Sequence, residues 1–170
     1  LDFVGFLDKN RVEVIIVLAL FFIAFGIRYI PSEKFPTIYG FDSFYEARSS
    51  KYVVEQGYPW PNNDSVTDYP FNRGVIFPGS IGWTGMNALV YKAIAVFNGV
   101  DGFNFDLFGA VASWMTVITG SLAIPAMYLF GRYAFSRWVG LSGALLLAGS
   151  PNHLFYSIYG HAENDAWGFS

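Results

Sequence analysis

Residues Leu107–Phe130 read LFGAVASWMTVITGSLAIPAMYLF, 24 positions without one charged side chain. A bilayer core takes about 20 helical residues, so this stretch predicts a membrane-spanning helix and decides the fold class. Two further apolar runs, one on either side, predict the same. Val12–Ile30 carries Glu13 and Arg28 near its ends, and Pro31 closes it. Long charged side chains at such positions can snorkel to the interface. The run lacks the small-residue cleavage site of a signal peptide. Val139–Tyr159 is interrupted only near its end, by Pro151. The expectation is an all-α membrane protein with three transmembrane helices, at about 12–30, 107–130 and 139–159.

A fourth apolar stretch, Val75–Phe97, holds Pro78, Gly79, Gly82, Gly85, Asn87 and Lys92. The excess of Lys and Arg in cytoplasmic loops decides how it is read. Lys9 and Arg11 precede the first span, and Arg132 and Arg137 bracket the short loop Gly131–Arg137. These basic segments all face the cytoplasm if Val75–Phe97 lies in the interface or dips in and returns. A crossing would turn the short basic loop outward. We therefore expect a cytoplasmic N-terminus, one long outer loop at about 31–106 that includes a membrane-associated segment, and a second outer loop starting at 160–170.

Composition agrees with this class. Of 170 residues, 54% are hydrophobic and only 14% charged, against about 25% charged in soluble domains. That excludes a disordered tail and argues against a solvent-exposed enzyme. A net charge of −3 offers no basic surface for nucleic acid. The absence of cysteine excludes disulfide staples and zinc–thiolate sites. The chain opens on Leu1 and stops at Ser170 just after a polar cluster, which we read as a piece of a longer membrane protein.

Within the outer loop, Asp42–Gln56 predicts a short helix. Ser43 and Glu46 stand at capping-box spacing, and Gly57 lies just past its end. The turn-rich run Tyr58-Pro59-Trp60-Pro61-Asn62-Asn63-Asp64 follows, with aromatics suited to the membrane–water boundary.

Carboxylates are scarce, so their positions carry information. Asp42 opens the loop helix, and Glu163-Asn164-Asp165 follows the third expected span, on the same outer side. Oxygen ligands from Asp42, Glu163 and Asp165 suit a hard divalent cation, whose charge would offset their mutual repulsion. The alternative is that Asp42 caps its helix and that Asn164 or Asp165 caps the next. His153 and His161 are too isolated for a zinc site, and capping or aromatic packing is expected of each. Arg73 either contacts a phosphate or is a solvated or ion-paired loop residue. Asn63-Asp64-Ser65 fits an N-glycosylation sequon.

Gly40-Phe41-Asp42-Ser43-Phe44-Tyr45-Glu46-Ala47-Arg48, with Tyr52 and Glu55-Gln56-Gly57-Tyr58, resembles the opening of the first external loop in oligosaccharyltransferase catalytic subunits. Tyr69-Pro70 with Arg73, then Phe77-Pro78-Gly79, is similar to that family's tyrosine-proline…arginine…tyrosine-proline-glycine stretch. Ser150-Pro151, Gly160 and Glu163-Asn164-Asp165 sit where the family has its second acidic motif. The ordered motifs look most like the archaeal form.

The resemblance implies that residues 1–170 are the N-terminal part of the transmembrane catalytic domain of a multi-span C-type glycosyltransferase, inactive as a fragment. It implies that Asp42, Glu163 and Asp165 bind Mn²⁺ or Mg²⁺, and that Asp42 also engages the acceptor asparagine amide. The implied donor is a dolichol-phosphate- or diphosphate-linked oligosaccharide. The implied acceptor is a protein or peptide with an Asn-x-Ser/Thr sequon, and the active site lies on the outer face of the cell membrane. Two departures stand out. The second motif is Glu-Asn-Asp where aspartate-x-glutamate is commoner, and Tyr156 stands where relatives often carry an arginine that meets the donor phosphate. Arg73 and Tyr156 are therefore the substrate-binding candidates. Rival readings are another lipid-sugar-dependent C-type glycosyltransferase, such as a protein O-mannosyltransferase, and a non-catalytic membrane scaffold.

Overall fold

The computed structural model describes residues 10–35, 37–57 and 81–163. Its elements are α1 (Arg11–Tyr29), a 3-10 turn (Ile30–Glu33), α2 (Phe41–Gln56), α3 (Ile81–Phe97), α4 (Phe105–Ala134), α5 (Arg137–Gly149) and α6 (Pro151–Phe155). No strand occurs among the described residues.

The uncharged run becomes the interior of α4. Asn104 caps that helix, its Oδ1 accepting from the Leu107 amide at 2.9 Å, and so starts it two residues before the apolar run. At 1.5 Å per residue its 30 residues extend about 45 Å. Three polar side chains inside it bond one turn back: Ser113 donates to the Gly109 carbonyl, Thr116 to that of Ala112 and Thr119 to that of Met115.

α1 lies antiparallel to α4. At one end Glu13 pairs with Arg132 and accepts from the Tyr128 hydroxyl; at the other, Tyr29 stacks on Trp114 with ring centroids 4.9 Å apart. α5 folds back on α4 after Ser136, whose hydroxyl caps it. Val17, Ala24, Ile124, Tyr128 and Ala144 form the core that these three helices share. The opposite side of α1 leaves Ile15, Leu18, Phe22 and Ile23 exposed.

A second core joins α2, α3 and the first turns of α4, through Ala47, Tyr91, Ala95, Phe108, Val111 and Ala112. Ile38 and Ala162 complete it, so the segments just before α2 and just before Glu163 share one apolar support. The Tyr91 hydroxyl donates to the Gly102 carbonyl and accepts from the Asn104 amide, fixing the short α3–α4 connection.

Two helical stretches are long and apolar enough to cross a membrane, Arg11–Glu33 and Phe105–Ala134. The third expected span is not one continuous helix. α5 has 13 residues, about 20 Å, short of a core of about 30 Å. Ser150 adopts ψ 117°, extended as a residue before proline tends to be. Pro151 then opens the five-residue α6, the position where its missing N–H costs nothing.

The end charges of the first span do not snorkel either. Glu13 turns inward to Arg132, and Arg28 is 0% exposed. The capping box is not made: Gly40 takes the N-cap position of α2, Ser43 reaches Glu163, and Glu46 accepts from Thr84 Oγ1 at 2.8 Å. Tertiary partners have claimed both side chains. Of the membrane-associated stretch, the part from Ile81 is α3, which packs mainly on α2 and α4; residues 75–80 lie outside the described residues.

Candidate functional site

Two chain reversals build the site. Gly40 has φ +90°, a left-handed geometry that places it at the N-cap of α2 and leaves Asp42 exposed in the first helical turn, where the helix dipole favours a carboxylate. Gly160 also has φ +90° and lies flat under Tyr39; a Cβ there would sit 2.6 Å from the Tyr39 ring. The Tyr39 amide donates to the Gly160 carbonyl at 2.8 Å, zipping the two reversals together.

This junction delivers Glu163 to the start of α2. Glu163 is 7% exposed, and its Oε1 accepts a long hydrogen bond from Ser43 Oγ at 3.4 Å. A Cβ on Gly40 would stand 3.2 Å from the same oxygen. Glu163 therefore bonds the residue that follows Asp42 and leaves little room for a side chain at Gly40. His161 Nε2 lies 3.6 Å from that oxygen, and the Glu163 amide donates to the His161 carbonyl at 3.0 Å.

The imidazole of His161 packs among the rings of Phe155, Tyr156 and Tyr39, with centroids 5.1, 5.4 and 5.7 Å away. The aromatic packing expected of His161 is observed. His153 instead meets Arg28, its Nδ1 2.8 Å from Nη2. Burial, and then the negative charge of Glu163, raise the Tyr39 phenol above the ordinary tyrosine pKa.

The opposite end of α1 is basic. Arg132 joins Glu13 and Asn10 there, and Arg11 and Arg137 line one groove with Trp138. The acidic junction and this basic end are thus separated by the length of α1.

Asp165, Asn164, Arg73 and Asn63 lie outside the described residues. Among the described residues, no group of three His, Cys, Asp or Glu side chains is arranged to hold a metal ion. What the junction supplies is a buried carboxylate from Glu163 beside the Asp42 turn, hard oxygen donors of the kind Mn²⁺ and Mg²⁺ take. Tyr156 is half-buried in the aromatic cluster, its ring edge-on to both Phe155 and His161. It stands one residue before Ser157, in the segment that leads to Gly160 and Glu163.

Sequence reasoning had no reason to single out Ser43 as a partner of Glu163, or Tyr39 as its neighbour. The only local signal was the pair of glycines, Gly40 and Gly160, in segments otherwise rich in aromatics.

Among the described residues, an all-helical architecture with two membrane-length apolar helices and an acidic junction at one end is that of a helical membrane protein. Residues 11–170 match the family described as "Oligosaccharyl transferase STT3, N-terminal", and the chain belongs to that family. It is 30% identical over 154 residues to dolichyl-phosphooligosaccharide-protein glycotransferase 1 of Pyrococcus horikoshii, covering 89% of this chain and 14% of that protein. It is 27% identical over 153 residues to the dolichyl-diphosphooligosaccharide–protein glycosyltransferase subunit STT3A of Oryza sativa subsp. japonica, covering 85% and 18%. The chain therefore spans less than a fifth of the length of either relative.

Proposed function

We propose that the protein to which this chain belongs transfers an oligosaccharide from a dolichol-phosphate-type lipid carrier to the asparagine of Asn-x-Ser/Thr sequons. Residues 1–170 form the N-terminal part of its transmembrane catalytic domain. The observation that carries the reading is the Ser43–Glu163 hydrogen bond, which sets Glu163 against the turn that bears Asp42, in a chain of this family.

In this reading Asp42, exposed at the start of α2, accepts a hydrogen bond from the acceptor carboxamide and orients its nitrogen toward the anomeric carbon. The new N–C bond forms as the C–O bond to the lipid phosphate breaks, with that electron pair leaving on the phosphate and the amide proton passing by way of Asp42 to solvent. Asp42, Glu163 and Asp165 would hold Mn²⁺ or Mg²⁺, whose charge offsets that developing on the phosphate. Ser43 and the ring cluster around His161 keep the Glu163 carboxylate in place. Arg73 and Tyr156 meet the donor. The basic end of α1 faces the cytoplasm and the acidic junction the outer side.

The test uses the full-length protein in lipid, a sequon peptide and a lipid-linked oligosaccharide extract. The expected result is glycopeptide from Asn-x-Thr and none from the matched Gln-x-Thr peptide. No glycopeptide from folded protein with a competent donor overturns the reading.

A further inference from the structure

We infer that Arg28 is a positioning residue for the acidic segment, acting through Ser157 and His153. Arg28 is fully buried near the end of α1, and a guanidinium carries its charge at every physiological pH. All three of its nitrogens are engaged by neutral acceptors: Nε donates to Ser157 Oγ at 2.8 Å, Nη1 to the Ala24 carbonyl at 3.1 Å, and Nη2 to His153 Nδ1 at 2.8 Å. Arginine has no acceptor, so Nδ1 must be the unprotonated ring nitrogen and the proton of His153 sits on Nε2. Ser157 Oγ donates its own proton to the His153 carbonyl, which fixes the direction of every bond in the chain.

The backbone adds a fourth tie. The Tyr159 amide donates to the Arg28 carbonyl at 2.8 Å, and the next residue, Gly160, accepts from the Tyr39 amide at 2.8 Å. One end of α1 therefore grips residues 153–159, and the chain leaves that grip directly into the reversal that carries Glu163. The fit is close: a Cβ on Gly120 would fall 2.3 Å from Ser157 Cβ and 3.3 Å from Arg28 Nε. A charge buried at this depth is costly unless fully hydrogen-bonded. What the arrangement does geometrically is hold the segment that ends in Glu163.

Lysine cannot reproduce this grip, because a single ammonium replaces a planar fork with separate donors to Ser157 and His153. The experiment measures hydrogen–deuterium exchange in the full-length protein in lipid nanodiscs, for wild type, Arg28→Lys and Ser157→Ala. We expect exchange at least about tenfold faster in residues 37–43 and 156–163, the scale implied by a lost hydrogen bond to a charged group. Exchange in the α4–α5 hairpin should stay unchanged. Ser157→Ala, which removes one hydroxyl, decides the matter if Arg28→Lys does not fold. Unchanged exchange in the two segments, or faster exchange throughout, overturns the inference.

The catalytic half rests on the proposed transfer reaction. There the variants should lower kcat about tenfold or more with the acceptor KM preserved, as loss of an outer-sphere orienting group does. Loosened exchange with unchanged kcat overturns the positioning role. A wild type that transfers no glycan fails the functional proposal and leaves the exchange result standing on its own.

Discussion

Ser43 and Glu163 are 120 positions apart in the chain, and Ser43 Oγ donates to Glu163 Oε1 at 3.4 Å. The first belongs to the opening turn of a loop helix and the second to the segment that follows α6. Their contact, with the Tyr39–Gly160 hydrogen bond behind it, turns two distant acidic sequences into neighbours.

Gly40→Ala should be costly twice over. The φ of +90° strains any residue with a Cβ, and that Cβ would stand 3.2 Å from the Glu163 carboxylate. We expect a loss of about 1–3 kcal/mol, measured by thermal unfolding of the full-length protein, and a larger proportional fall in glycan transfer. Ser43→Ala, which removes only the hydroxyl, should cost less stability. Equal stability of Gly40→Ala and wild type would contradict the described junction.

The predicted fold class was legible because one physical fact dominated it: Leu107–Phe130 has no charge over 24 residues, and a helix of that length satisfies its backbone within the segment. Its neighbours were read less well. Average apolarity across Val139–Tyr159 carried one span over Pro151, although that proline was noted; there Ser150 turns extended and α5 ends, whereas Pro125 lies inside the continuous α4. Arg28 looked like a snorkelling end charge because Ser157 and His153, more than 120 residues away, are invisible to local pattern. The Ser43–Glu46 spacing matched a capping box, but local capping lost to Glu163 and Thr84. Asp42 and Glu163 were singled out, as neighbours around one cation, because carboxylates are scarce in this chain; the Ser43–Glu163 hydrogen bond was not, since it depends on two glycine reversals.

At the other end of α1, Glu13 and Arg132 have side chains only 14% and 19% exposed and also engage Tyr128. Glu13→Ala leaves the largely buried guanidinium without its counter-charge, though still bonded to Asn10 and Tyr128, and should destabilise by about 3 kcal/mol. Replacing both partners, Glu13→Leu with Arg132→Met, should recover much of that loss. Denaturant unfolding in mixed micelles reads both. A double variant no more stable than Glu13→Ala would show that the pair is not acting as a unit.

Tyr39 provides a probe of the Glu163 charge. Its phenol is raised by burial first and by Glu163 second. Because the folded value lies above the unfolded one, the contribution to stability is complete below the ordinary tyrosine range and is lost as pH rises through the folded pKa. Glu163→Gln removes the charge and leaves the burial, so the Tyr39 pKa should fall part of the way back. NMR titration of ¹³Cζ-labelled tyrosine, assigned with Tyr39→Phe, follows this. An identical Tyr39 titration in Glu163→Gln would separate the two residues.

If Asp42 and Glu163 work as one site, their losses must not add. The deciding measurement is glycan transfer by the full-length protein in lipid, in Mn²⁺ and in chelator, for wild type, Asp42→Asn, Glu163→Gln and the double variant. Members of a single catalytic unit are strongly non-additive. Each single substitution should lower transfer by about a hundredfold or more, the double variant should be scarcely worse than either, and chelator should have the same effect on wild type. Transfer that survives Asp42→Asn, or losses that simply multiply in the double variant, would contradict the shared site.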